Sequence, residues 1–401
     1  MKWRPENNAP TPKIGLVLPG GGARAAYQVG VLRAIAKILP KGTPCPFAVI
    51  TGTSAGSINA TALAIHARDF RKGVFRISRV WKNFRSHHVF RTDPLGIART
   101  GAHWLASMML GGLGKYNPSS LLDRSPLHNL LSDSLAYEKI QESINSGALH
   151  ALGISASNYS TGQSTVFFQG VDSLKPWNKG GRIGCRTAIT FNHLLASSAI
   201  PLVFSATRIN NSYYGDGSMR QLAPLSPALH LGADRLFVVG IRKPVPFKQE
   251  NERAASYPSM AEIASHVLNS IFLDNLDPDL ERLERINKTI SLIPNRRIIQ
   301  GGVTLRPVDV LTISPSEDIG DIAQRHANLL PRTLRFLLRG IGAFGNHNHG
   351  STLLSYLMFE KTYCRELIAL GYKDAMRAKD EILQFLDTST VTQKEKKAVK
   401  A

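Results

Sequence analysis

Gly52-Thr53-Ser54-Ala55-Gly56 constrains this chain more than any other stretch. It follows an apolar run (Phe47, Ala48, Val49, Ile50) and precedes a helical pattern with Ile58, Ala62 and Ile65 on one face. Strand, sharp turn and helix follow one another, with a serine at the apex. The G-x-S-x-G spacing suits that geometry: the turn needs strained backbone angles, the flanking glycines avoid side-chain clashes, and the hydroxyl is exposed above the sheet. A serine in a Gly/Ala-rich turn also suits a plain helix cap, so the motif alone leaves nucleophile and cap open.

A second strand–turn–helix unit precedes it. Ile14 to Leu18 reads as a buried strand and runs into Pro19-Gly20-Gly21-Gly22-Ala23-Arg24. A helix then carries Ala25, Val29, Leu32, Ala36 and Leu39 at helical spacing, closed by Pro40 and Lys41-Gly42. Three successive glycines let backbone N–H groups converge at the positive end of a helix, where an anion binds. Phosphate cradle, oxyanion hole and tight packing turn are the readings. A dinucleotide fingerprint needs an acid on the next strand, but the Phe47–Thr51 strand ends in Ser54 instead, and no G-x-x-x-x-G-K-[ST] loop is present. An oxyanion hole beside a nucleophile fits both turns at once. Losing one oxyanion donor typically costs about 10²–10³ in turnover, so such a loop is a large catalytic term.

A serine needs a base. Tyr213-Tyr214-Gly215-Asp216-Gly217-Ser218 places an Asp between two glycines, in a turn free to aim its carboxylate. As an isolated signal Asp-Gly is more often a hairpin turn.

Taken together, Gly20-Gly21-Gly22-Ala23-Arg24, Gly52-Thr53-Ser54-Ala55-Gly56 and Asp216-Gly217 stand in the order and rough spacing of the patatin-like phospholipase family, which the chain resembles over about residues 12–245. Ala196-Ser197-Ser198-Ala199-Ile200-Pro201 is also similar to that family, and Leu311-Thr312-Ile313-Ser314-Pro315 supplies a strand to close the sheet. The resemblance implies Ser54 as nucleophile and Asp216 as its sole side-chain partner, a dyad without histidine. It implies an oxyanion hole from the backbone of Gly20, Gly21 and Gly22, with Arg24 beside it as a substrate-binding residue, and hydrolysis of acyl esters of lipids. Two departures are visible. Ala25 stands where the family usually has Gly, and Ser218 where it commonly has Gly or Ala; neither removes a group the chemistry requires.

A carboxylate is a weak base at its ordinary pKa of about 4, so the resemblance requires Asp216 to be buried near Ser54. The rival is a Ser-His-Asp triad in the order Ser, Asp, His. Of the histidines after Asp216, His230 reads as a helix end, His266 lies on an amphipathic stretch, and His326 reads as a solvated helix face. His347-Asn348-His349 has metal-ligand spacing but no Cys or acidic third ligand nearby, so a polar loop is expected and no metal or cofactor.

The fold expected is α/β, with a mainly parallel central sheet, helices on both faces and further C-terminal helices. Its strands are Ile14–Leu18, Phe47–Thr51, Leu152–Ser157, Thr165–Gln169 and Leu236–Ile241, alternating with helical stretches. With 401 residues, 43% of them hydrophobic, the chain can bury one large core. The expected division is a polar segment over 1–12, a catalytic α/β domain over 13–327 with a helical insertion at about 250–300, a C-terminal helical region over 328–387, and a Thr/Lys-rich disordered tail over 388–401. Met260, Ile263, Val267 and Ile271 mark one face within the insertion. Cys45, Cys185 and Cys364 are scattered and odd in number, which suggests reduced thiols in a cytoplasmic enzyme. Met1 to Pro12 has no apolar core of a secretory signal, and the near-apolar run 102–114 is too short to span a bilayer.

The net charge of +20 asks for an acidic partner. Between residues 68 and 99, Arg68, Arg71, Lys72, Arg76, Arg79, Lys82, Arg85, Arg91 and Arg99 face only Asp69 and Asp93, with Phe70, Val74, Phe75, Ile77, Val80, Trp81 and Phe84 interleaved. Such a stretch suits an anionic membrane surface, peripheral on the inner face, and Trp104 to Leu113 offers an apolar insertion. It suits equally a solvated amphipathic helix packed on the sheet. No helix-turn-helix, zinc or aromatic RNA-binding signature accompanies the charge, so no nucleic acid is expected. Phospholipid or lysophospholipid is the expected substrate. A thioesterase or soluble-ester hydrolase with the same dyad, and a lipid-binding module without turnover, remain the alternatives.

Overall fold

The computed structural model describes residues 12–91, 120–201, 203–244, 276–293, 306–335 and 351–387, together with positions 103, 263 and 270. The tail over 388–401, the His347/His349 pair, most of the insertion at 250–300 and the run Trp104 to Leu113 lie outside these residues.

A ten-stranded sheet organises the described chain. Its strands are β1 (Ile14–Leu18), β2 (Val49–Thr53), β3 (Ala151–Asn158), β4 (Ser164–Gly170), β5 (Trp177–Lys179), β6 (Arg182–Arg186), β7 (Thr207–Ile209), β8 (Ser212–Asp216), β9 (Arg235–Val239) and β10 (Asp309–Ile313). The order β10-β9-β1-β2-β3 is parallel throughout. These strands are nearly continuous apolar runs, as a sheet covered on both faces requires. Leu16, Leu18, Ile50 and Phe237 enter the core on one face, and Val17, Val49, Leu236 and Val238 a separate core on the other.

Two details differ from the expectation. The second strand begins at Val49, after the Pro44-Cys45-Pro46 segment, and Phe47 packs as a buried core side chain ahead of it. The parallel alternation ends at β3, where Asn158 Oδ1 accepts from the N–H groups of Ser160 and Thr161 (2.8 and 3.1 Å) and turns the chain back. β4 therefore runs antiparallel to β3, and β8 pairs antiparallel with the C-terminal end of β3, setting Asp216 opposite Ala156.

The helices are α1 (Ala26–Ile38), α2 (Ala55–Ile65), α3 (Phe70–Lys82), α4 (Ser125–Ser134), α5 (Glu138–Asn145), α6 (Phe191–Ser197), α7 (Ser226–His230), α8 (Leu276–Ser291), α9 (Ile319–Arg325), α10 (Ser351–Leu357), α11 (Lys361–Arg377) and α12 (Lys379–Leu386). Residues of α7 and α8 cover one face of the sheet, while α1, α2, α3 and α11 share the larger core on the other. The C-terminal helices are integral to that core. α11 crosses α1 where Gly30 and Gly371 let the two backbones approach, and Tyr27 Oη donates to the buried carboxylate of Asp374 (3.1 Å). No described helix is long and apolar enough to cross a membrane.

α3 decides between the two readings of the basic stretch only in part. Its apolar stripe (Phe70, Val74, Ile77, Trp81) is buried in the core, so the stripe itself is a packing face. Phe75 (67% exposed) and Val80 (43%) point outward among exposed Lys72, Arg76 and Arg79.

Candidate active site

Three turns meet at the C-terminal edge of the parallel strands, where open α/β sheets place their ligands. They follow β1, β2 and β8.

Ser54 follows β2 and precedes α2 with φ 52° and ψ −130°, a left-handed conformation rare for a residue with a side chain. The neighbouring glycines make this turn possible. A Cβ on Gly56 would collide with the carbonyls of Leu18 and Pro19, and one on Gly52 would stand 2.5 Å from the Gly56 carbonyl oxygen and 2.6 Å from Ser57 Cα. The Ser54 side chain makes no capping hydrogen bond to α2, which sets aside the plain-cap reading of this serine. Its backbone is held instead: Ser54 N–H donates to Ser197 Oγ (2.8 Å), and the Ser57 hydroxyl and amide donate to Ser54 O (2.6 and 2.9 Å).

The glycine turn after β1 packs directly on this serine. A Cβ on Gly20 would stand 2.8 Å from Ser54 Cβ, 2.6 Å from Ser218 Oγ and 3.3 Å from the Thr53 carbonyl oxygen. A short 3-10 turn, Gly22–Ala25, leads into α1, and the first amides of such a start have no acceptor within the helix. Buried side chains fasten this loop to α2, the helix that Ser54 precedes. Gln28 Nε2 donates to Pro19 O (2.8 Å), Asn59 Nδ2 to Gln28 Oε1 (2.9 Å), and Trp81 Nε1 to Asn59 Oδ1 (2.8 Å), joining α1, α2 and α3.

Asp216 is 0% exposed. Burial pushes its carboxyl up to about 6, against the lowering influence of the Ser54 hydroxyl and of the Ser218 amide and hydroxyl. Oδ1 accepts from Ser218 N–H (2.9 Å), whereas Oδ2 is buried with no hydrogen-bond partner. Ser54 thus stands near enough to favour the charged carboxylate, but no hydrogen bond of ordinary geometry joins the pair. A buried carboxylate oxygen without a partner is rare enough to mark this as a candidate site.

Gln221 ties the Asp216 turn to the other two strands. Thr53 Oγ1 donates to Gln221 Oε1 (2.6 Å), and Gln221 Nε2 donates to Ser155 Oγ on β3 (3.0 Å).

From Ser54 an apolar slot leads away. Ala55, Ile58 and Ala62 of α2 form one wall, Ile77, Val80 and Trp81 of α3 a second, and Leu127, Leu130 and Leu131 of α4 a third. Ile200, Phe204 and Phe359 complete it, and Gly22 and Ser198 line its polar end with Ser54.

The structure therefore brings together Ser54, Asp216, Gly20 and Gly22. Gly21 packs on Ile241. Arg24 goes elsewhere: it is 4% exposed, its Nε donates to Ser355 Oγ (2.7 Å), and its guanidinium lies over the Tyr356 ring (5.2 Å). It does not line the slot, and its contacts are those of a tie between the glycine loop and α10.

Three described histidines are occupied apart from this site. His230 stacks on Trp177, His326 Nε2 pairs with Glu366 Oε2 (2.5 Å), and His193 Nδ1 accepts from Thr190 N–H (3.0 Å). His326 is thus a largely buried hydrogen-bond partner of Glu366 and not a solvated face residue. Ser197, Ser57 and Gln221 carry no sequence signal of their own roles. Ser197 lies in a segment similar to a family motif, but a serine at the end of a small-residue helix announces no partner.

No curated protein sequence matches the chain. Among solved structures, VipD from Legionella pneumophila matches with 13% identity and a TM-score of 0.34, covering 93% of this chain and 67% of that one. Human GIVD cytosolic phospholipase A2, in complex with methyl gamma-linolenyl fluorophosphonate, matches with 13% identity and a TM-score of 0.41, covering 94% of this chain and 59% of that one. This chain therefore spans only 59–67% of the length of these two solved chains. Residues 16–229, more than half of the sequence, match the patatin-like phospholipase family, and the chain belongs to that family.

Proposed function

We propose that the protein is a lipid acyl hydrolase of phospholipase A or lysophospholipase type, working through a Ser54–Asp216 dyad. The observation that carries this reading is the meeting of Ser54, the unpartnered Oδ2 of Asp216 and the Gly20 loop at the polar end of an apolar slot.

In the proposed reaction Asp216 takes the Ser54 proton as Oγ attacks the ester carbonyl carbon. The negative charge that develops on the carbonyl oxygen points to the amides of Gly20, Gly21 and Gly22 at the start of α1. The carbon–oxygen bond to the leaving alcohol then breaks, and Asp216 returns the proton to that oxygen. Water attacks the acyl-enzyme, giving its proton to Asp216, and Ser54 regains a proton as the fatty acid leaves. A carboxyl near 6 is a stronger base than a solvated one and is still ionised at neutral pH.

The slot supplies selectivity for a long acyl chain, because burying methylenes there is favourable at about 0.8 kcal/mol each. The outward face of α3 suits an anionic membrane: Val80 lines the slot and is also exposed, next to Phe75, Arg76 and Arg79. A lipid lifted from such a surface enters the slot acyl chain first.

A panel of phospholipids and lysophospholipids of graded chain length, in anionic and zwitterionic vesicles, tests this reading. Wild type is expected to prefer long chains in anionic vesicles. Ala62 lies two turns along α2 from Ser54, about 12 Å by helix rise. Ala62→Trp should therefore shift the optimum to shorter chains, with at least a tenfold loss on the longest, roughly the discrimination of one or two excluded methylenes. Phe75→Asp should slow vesicle hydrolysis and leave a soluble short-chain ester untouched. Lipid binding by wild type with no turnover of any ester would replace the enzyme with a lipid-binding module.

A further inference from the structure

Gln28 of α1 and Asn59 of α2 are polar side chains with 0% exposure, and a buried amide is tolerated where its hydrogen bonds are made. Both sit in one series of bonds. Trp81 Nε1 donates to Asn59 Oδ1 (2.8 Å), Asn59 Nδ2 donates to Gln28 Oε1 (2.9 Å) and to Ala25 O (3.2 Å), and Gln28 Nε2 donates to Pro19 O (2.8 Å). An indole N–H can only donate, so the direction of every bond follows from Trp81. Asn59 has to turn its oxygen to the indole and its nitrogen to Gln28. Gln28 then has to turn its oxygen to Asn59, which leaves its nitrogen for Pro19. The series begins in the apolar slot, which Trp81 and Asn59 line, and ends on the carbonyl that precedes Gly20.

That carbonyl matters because the Pro19–Gly20 peptide is planar and trans. Its C=O and the Gly20 N–H point in opposite directions, so a bond that fixes one aims the other. Pro19 O is turned toward α1 and the start of α2, where a Cβ on Gly56 would stand 2.6 Å from it, while Gly20 itself lies against Ser54. The other end of the glycine loop has separate anchors. Arg24 N–H donates to Gly21 O (3.1 Å), Arg24 Nε donates to Ser355 Oγ, and Gly22 packs on the Tyr356 carbonyl. We propose that Gln28 is a positioning residue for the oxyanion loop, holding Pro19 O so that the Gly20 amide faces the reacting carbonyl oxygen, with Asn59 and Trp81 fixing the orientation of Gln28 from the slot. The inference rests on the oxyanion reading of this loop and adds the residues that set it. An acyl chain seated in the slot lies against Trp81 and Asn59, so the substrate touches the far end of the same series of bonds.

The test compares a short-chain aryl ester with its thionoester, in which sulfur replaces the carbonyl oxygen, on wild type, Gln28→Met and Trp81→Phe, with near-ultraviolet circular dichroism on each. Sulfur is a weak acceptor, so a loop of aimed amides accelerates the ester far more than the thionoester. Gln28→Met keeps the length and bulk of the side chain and loses both of its amide groups. It should lower kcat for the ester by about ten- to a hundredfold, the scale of a small misplacement in a site, with KM within about twofold and the ester-to-thionoester ratio falling alongside kcat. Trp81→Phe frees Asn59 and Gln28 to turn over, and should shift the ratio in the same direction by less. If Gln28→Met fails to fold, Trp81→Phe decides alone. A folded variant with unchanged kcat, or with lower kcat and an unchanged ratio, gives these amides a packing role only and overturns the proposal. A wild type that does not discriminate between ester and thionoester overturns the oxyanion reading itself, and this inference with it.

Discussion

Asp216→Asn is expected to lose activity and gain stability. On the activity side, removing a general base costs about 10²–10⁴ in kcat/KM. On the stability side, the folded carboxyl titrates near 6 and its ordinary value is 3.8, so the folded state holds the proton at a pH where the unfolded chain has released it. Stability from this group is greatest below the unfolded value, falls as pH rises from about 4 to about 6, and stays reduced above that. At 1.4 kcal/mol per pKa unit, carrying the buried charge at pH 8 costs about 3 kcal/mol. Asparagine keeps an acceptor for Ser218 N–H and carries no charge. The variant should melt several degrees above wild type at pH 8, with the difference vanishing toward pH 4. Hydrolysis rates and melting curves on the same samples check both halves. An inactive variant that melts below wild type at every pH would show a carboxylate kept for structure.

Gly20→Ala is the second large effect. Its methyl would press on Ser54 Cβ and Ser218 Oγ at under 3 Å; the Ser218 hydroxyl can rotate aside, but Ser54 Cβ cannot yield without moving the Ser54 turn. Overpacking of this kind costs about 1–3 kcal/mol in stability. The catalytic loss should be larger, about 10²–10³ in kcat, as for loss of one oxyanion donor. It should appear in kcat more than in KM, because the slot that holds the acyl chain is unchanged. Near-ultraviolet circular dichroism of the variant separates fold from function, because it reports whether tertiary packing has collapsed. Unchanged kcat in Gly20→Ala would remove the glycine loop from the reaction.

Much of this site is local in sequence. The two glycine turns are strand–turn–helix units within a few residues, and their steric needs fall on residues that the motif itself names: Gly56 lies against Leu18 and Pro19, and Gly52 against Gly56. The parallel strands are legible as apolar runs for the same local reason. What was not legible is long-range. Ser197 is 143 residues from the backbone N–H it accepts, and Gln221 is 168 residues from Thr53. Nothing in a serine or glutamine announces a partner that far away. The turn of β8 onto β3 and the crossing of α1 by α11 also depend on pairings that periodicity does not encode. Arg24 misleads for a related reason. The family resemblance implies a substrate-binding role for it, but Ser355 of α10, 331 residues on, captures its side chain. The basic stretch around α3 shows the limit of amphipathicity as a signal: the same pattern serves a buried stripe and an exposed basic face, and only packing separates Trp81 from Phe75.

The central claim is that Ser54 Oγ attacks the substrate. The most direct measurement is intact mass after reaction with a long-chain fluorophosphonate, run with lipid hydrolysis on wild type and Ser54→Ala. Wild type is predicted to gain one adduct and lose turnover in step with it, and Ser54→Ala to show neither adduct nor turnover while remaining folded. An adduct and undiminished hydrolysis in Ser54→Ala would place the nucleophile elsewhere and contradict the account.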